Sequence, residues 1–183
     1  MYQTSKTFIV FIILNSLLMP VVHGQESIQS EFVFEIKAKI ADVIPLGDTK
    51  DGKRQAIPIT GGSFSGRSIK GEVIPGGADY QLVRPDGIIE VNAIYMIRTD
   101  DGAVINVENS GIIDTTGGKV YIRTAPKFTA PTGPYDWLNK HLFLGSIHGD
   151  PEQPGYVFIR VYKVLQELSG PSLNKKFNRG KLE

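Results

Sequence analysis

The sequence predicts an all-β fold, an antiparallel barrel of about eight to ten strands with almost no helix in the mature chain. Three observations predict it. Apolar and polar residues alternate with a period of two, most clearly over residues 31–41. Turn formers such as Arg84-Pro85-Asp86-Gly87 and Asp100-Asp101-Gly102 punctuate the chain at short spacing, the rhythm of a sandwich or barrel. Several strands mix polar and apolar residues on both faces, which suits a barrel with a partly polar interior better than a sandwich with a dry core.

The elements follow in order. Over residues 31–41, Phe32, Phe34, Ile36, Ala38 and Ile40 point one way and Val33, Glu35, Lys37 and Lys39 the other, as in a half-buried strand. Residues 46–53 form a polar connection rich in turn residues. Residues 54–60 are a short strand whose Pro58 removes a ladder donor, marking an edge or a bulge. The glycine-rich segment 61–66 lacks the spacing of a phosphate-binding loop and no helix follows it. It reads as a bulged strand or barrel corner. Strands over 68–74 and 79–83 flank a turn at 75–78, and the next turn, 84–87, places proline at its second position. Residues 88–99 are a long strand with Ile89, Val91, Ala93, Tyr95 and Ile97 on one face. A hairpin at Asp100-Asp101-Gly102 leads into a strand over 103–109. In the strand over 119–124, Val120 and Ile122 oppose Tyr121 and Arg123. Three prolines exclude residues 125–135 from regular structure. Residues 136–139 allow one helical turn, and strands over 142–147 and 156–165 complete the chain around a turn at 149–155.

Hydrophobic residues make up 41% and charged residues 21% of the 183, the balance of a soluble globular protein. The N-terminus departs from this. Lys6 precedes an apolar run over residues 8–18, and Val22 and Gly24 stand at −3 and −1 of a cut. That is the pattern of a secretory signal peptide. The run falls short of the ~20 residues of a membrane span, with an uncleaved anchor as the alternative. The expected organisation is a signal peptide over 1–24, one barrel domain over 25–168, and a basic tail over 169–183 carrying Lys175, Lys176, Arg179 and Lys181. The expected location is secreted or periplasmic. The cut removes Lys6 from 20 Lys and Arg against 19 Asp and Glu, leaving formal neutrality. A neutral chain has no global field for nucleic acid or an anionic membrane. A small molecule is the expected partner, with a homo-oligomer left open. The chain has no cysteine, so disulfides, thiolate metal sites and thiol nucleophiles are excluded, and stability must come from a buried core.

Long motifs carry a family resemblance. Ile44-Pro45-Leu46-Gly47-Asp48-Thr49, the segment 57–66, and Ile69-Lys70-Gly71-Glu72-Val73-Ile74-Pro75-Gly76-Gly77-Ala78-Asp79-Tyr80-Gln81 resemble domain-of-unknown-function family 3237, also called uncharacterised protein family 0311. The likeness continues through Arg84-Pro85-Asp86-Gly87, the segment 121–128 and Tyr135-Asp136-Trp137-Leu138-Asn139. It covers roughly residues 32–164. It implies a calycin-like barrel with an interior of small-molecule size, and no established activity. The export signal, a shorter loop over 113–119 and the basic tail depart from the family pattern.

Asp79 and Gln81, two residues apart, share one face of a strand. Facing a barrel interior, they would line a cavity, with Arg84 just beyond and Tyr95, Asn109, Arg123 and Trp137 arriving from other elements. A desolvated Asp79 would serve as general acid or base, and Arg123 or Tyr95 would polarise a substrate. Gln81, Arg84, Asn109 and Trp137 are the candidate ligand-binding set. The structural alternative is an Asp79–Arg84 pair that clamps a turn. Trp137 either stacks on a ligand or plugs the barrel end. His141 and His148 lack flanking residues at metal-ligand spacing, so no metal and no cofactor are expected. Three functions follow: an exported carrier of a small, partly apolar molecule with an anionic or carbonyl group; a cofactor-independent enzyme of proton transfer, isomerisation, cyclisation or hydration; or an interaction module with a filled barrel.

Overall fold

Nine antiparallel strands and one short helix account for residues 28–165, the part of the chain that the computed structural model describes. The signal-peptide and tail segments expected over 1–24 and 169–183 lie outside these residues. The strands are β1 (Ser30–Ile40), β2 (Ile44–Thr49), β3 (Gly52–Gly66), β4 (Lys70–Val83), β5 (Ile89–Thr99), β6 (Val104–Asp114), β7 (Tyr121–Thr129), β8 (Phe143–Gly149) and β9 (Tyr156–Val164). A 3-10 helix, Asp136–Lys140, precedes β8. The sheet order is β1-β9-β8-β7-β6-β5-β4-β3, and β1 pairs with β3 to close an eight-stranded barrel. Strand β2 lies outside the circle, paired with β3. The expected all-β barrel is the fold.

Four local expectations are corrected. Residues 46–53 are not a loop: they fold into β2, a tight turn and the start of β3. The predicted turn at Pro75–Ala78 is a bulge within one continuous β4, whose register against β5 shifts between Ile74 and Ala78. Strand β7 runs on through Pro126 to Thr129. A proline is tolerated where no ladder bond is required, and the adjoining β7–β8 seam is held by a single register pair, Thr124 with Gly145. In β1 a register shift between Phe32 and Phe34 breaks the simple alternation. Val33 is therefore buried and Phe32 stands half exposed. The glycine-rich segment lies inside β3, where register against β4 shifts between Ile59 and Ser63.

The two ends of the barrel differ. At one end Phe34 packs edge-on against Phe64 and Phe128, with ring centroids 5.6 and 5.7 Å away, and Phe128 meets Phe143 at 5.0 Å. Edge-to-face geometry sets the positive rim of one ring against the negative face of the next. Leu138 of the 3-10 helix, 1% exposed, plugs this end. The opposite end carries the β4–β5, β6–β7 and β8–β9 turns, and aliphatic side chains there leave the interior partly unfilled.

Candidate functional site

Register places the polar interior residues on adjacent strands. Asp79 of β4 pairs with Ala93 of β5, which pairs with Asn109 of β6. Neighbouring strands are spaced about 4.8 Å apart, so Asp79 and Asn109 stand about 10 Å apart at the backbone. Ala93 lies between them with almost no side chain. Two residues further along β5, on the same face, is Tyr95, 4% exposed. The β4 backbone passes close beside it at Gly77: a Cβ there would sit 2.4 Å from the Cβ of Tyr95 and 2.5 Å from the Ile94 carbonyl oxygen.

These groups line one wall of a cavity of about 140 Å³. The rest of the lining is aliphatic, from Ile40, Ile57, Ile59, Ile147, Val157 and Ile159. A side-chain chain of hydrogen bonds crosses the polar wall. Gln55 Nε2 donates to Gln81 Oε1 at 2.7 Å, and Gln81 Nε2 donates to Asp79 Oδ2 at 2.6 Å. The Asn92 backbone N–H donates to Asp79 Oδ1 at 2.9 Å. Burial holds the Asp79 carboxyl above the usual carboxylate range, and these two donors oppose it only in part. Burial also raises the Tyr95 phenol, reinforced by the nearby charge of Asp79. On this wall Tyr95 Oη and Asn109 Oδ1 are buried without a hydrogen-bond partner, as is Thr124 Oγ1 on β7, outside the cavity lining. Buried polar groups normally have one, so the wall holds unused hydrogen-bonding capacity.

Asp79, Gln81, Tyr95 and Asn109 thus gather at one cavity, and three other expected residues do not. Arg84 sits in the β4–β5 turn and pairs with Asp86 at 2.5 Å and Glu90 at 3.3 Å, so it does not clamp Asp79. Arg123 is exposed on β7, where Nη1 donates to the Ile122 carbonyl at 2.6 Å and the guanidinium lies over Tyr121. Its neighbours Ile122 and Thr124 take the inward positions, and strand alternation sends Arg123 out. Trp137 packs on Phe143 and His141 at the closed end, with centroids 6.1 and 6.3 Å apart, away from the cavity. Gln55 was not among the expected residues. Its signal was parity: it shares a face of β3 with Ile57 and Ile59, directly opposite Gln81.

The sequence profile described as "Protein of unknown function (DUF3237)" matches residues 28–164, nearly all of the described barrel. The chain belongs to the DUF3237 family. A UPF0311 protein of Rhodopseudomonas palustris is 39% identical over 155 residues, 76% of this chain and 98% of that one. The crystal structure of a β-barrel-like protein from Acinetobacter baumannii, 30% identical, superposes with a TM-score of 0.70 over 78% of this chain and all but 1% of its own length, 99%. A hydroalkoxylation enzyme of Penicillium herquei is 36% identical over 93 residues, 50% of this chain and 56% of that protein. DUF3237 membership therefore accounts for the barrel from end to end.

Proposed function

We propose that the open end of the barrel binds a small, partly apolar molecule that presents one polar group to Asp79, Tyr95 and Asn109. One observation carries this reading: polar groups with unused hydrogen-bonding capacity converge where the barrel interior is left unfilled. The cavity of about 140 Å³ is close to the ~150 Å³ that accepts one benzene molecule. The inserted part of the ligand is then a single ring or a short branched chain. With Arg84 and Arg123 outside, the anionic group expected from the sequence has no cation to meet it.

The test is a thermal shift with single-ring compounds on the wild type and on Val157→Trp, which fills the cavity. A compound at 100 times its Kd adds about 2.7 kcal/mol, a rise in Tm of roughly 5–10 °C for a domain of this size. The rise should vanish in Val157→Trp. No shift with any compound, or an equal shift in the filled variant, refutes pocket binding.

A second reading, proton transfer at Asp79, has its own support. Hydroalkoxylation adds an O–H across a C=C bond, so the Penicillium herquei relative's named reaction moves a proton. In this chain Asp79 would exchange the proton and Tyr95 would hold the substrate oxygen, with no role for the outward Arg123. Asp79→Asn that retains ligand binding and loses turnover supports it; retained turnover removes it. We also propose export with a cut after Gly24. Intact mass spectrometry of the protein recovered outside the cytoplasm should give a chain beginning at Gln25, and the uncut mass there overturns this.

A further inference from the structure

We propose that the polar group of the ligand is a protonated amine, whose ammonium pairs with Asp79 while its apolar body fills the cavity. The inference rests on the binding reading above and narrows it to one chemical class. Its basis is a charge without a counter-charge. Both donors to Asp79, the Gln81 amide at 2.6 Å and the Asn92 N–H at 2.9 Å, are neutral. Each carboxylate oxygen keeps a further lone pair to offer.

The groups facing Asp79 supply no cation. Strand β3 presents Gln55 and Ile57, β5 presents Val91 and Tyr95, and β6 presents Asn109. Across the cavity stand Ala38 of β1, Ile147 of β8 and Ile159 of β9. Tyr95 is the only other titratable side chain among the described cavity-lining residues. Two cations of the flanking segments are engaged on the outer surface. Arg84 holds Asp86 and Glu90, and Lys37 lies over Tyr156 and donates to Gln153. An ionised carboxylate against apolar walls without a counter-charge is costly. A cationic ligand removes that cost, whereas a carboxylate ligand doubles the negative charge.

The hydrogen-bond count agrees. An ammonium has three N–H donors. Asp79, the partnerless Asn109 Oδ1 and the partnerless Tyr95 Oη are three acceptors on one wall. Hydrogen bonds to an ionised acceptor are roughly twice as strong as neutral ones.

Isothermal titration calorimetry with benzylamine, benzyl alcohol and benzoate tests this on the wild type and on Asp79→Asn. At neutral pH benzylamine should bind about tenfold tighter than benzyl alcohol, the gain of one charge-assisted hydrogen bond, with benzoate weakest. The preference should disappear in Asp79→Asn. Benzylamine affinity should fall as the pH drops through the raised range of Asp79, because the protonated carboxyl no longer pairs while the amine stays charged. Benzyl alcohol binding as tightly as benzylamine, or an amine preference that survives Asp79→Asn, overturns the proposal and leaves the pocket standing. Binding of none of the three refutes the pocket and this proposal together.

Discussion

Replacing Phe34 by alanine is expected to destabilise the barrel by about 3–5 kcal/mol, the range for removing a buried phenylalanine. For a domain of this size that is a fall in Tm of roughly 6–20 °C. Phe34 is fully buried, and its ring bridges Phe64 and Phe128 at the closed end. Truncation removes the transfer energy of the ring and two aromatic contacts, and it leaves a void that the stiff strands cannot collapse. Phe32→Ala is the internal control. Simple alternation puts both phenylalanines inside, but the register shift leaves Phe32 50% exposed, so its loss should cost below about 1 kcal/mol beyond its edge contact with Tyr162. Equal losses in urea denaturation would show that the shift in β1 does not exist in solution.

Gly62→Ala is the second large effect, about 2–4 kcal/mol. Gly62 has φ +133°, a conformation that side chains rarely adopt. A Cβ there would lie 2.0 Å from the Lys37 carbonyl oxygen. That oxygen belongs to backbone in the seam where Ala38 pairs with Gly62 and Lys37 with Ser63. The clash therefore falls on the β1–β3 pairing that closes the barrel. Hydrogen exchange should accelerate in β1 and β3 more than across β5–β6, because local opening follows the weakened seam. Ser63→Ala, one residue on and exposed, should leave exchange unchanged. Uniform acceleration over all strands would place the strain elsewhere.

Much of the barrel was legible because the signals are local. Alternation put Ile89, Val91, Ala93, Tyr95 and Ile97 together on one face of β5, and it put Arg123 opposite Ile122 without saying which of the two faces inward. Turn residues placed the hairpins at 84–87 and 100–102. Two of the misreadings, at residues 75–78 and 125–129, share a cause. Proline and glycine usually end strands, but in a closed barrel they also mark bulges, where a strand bends and continues. The chain through Pro75-Gly76-Gly77 does this, and at Pro126 β7 continues in unbroken register with β6. Gln55 escaped notice because its importance comes from lying opposite Gln81, 26 residues away in the chain.

The sequence by itself determined the class of fold, the hairpins at 84–87 and 100–102 and, by alternation, which strand neighbours share a face with Asp79, Gln81, Tyr95 and Asn109. Only the tertiary structure decided that these four meet on one wall, that aromatic rings fill the far end, and that Arg84, Arg123 and Trp137 stand apart. Period two fixes the face of a residue within its strand. Its height in the barrel depends on register across every neighbouring strand, set by bulges and by the closure of β1 on β3. Those are properties of the whole packed sheet, which no single stretch of chain encodes.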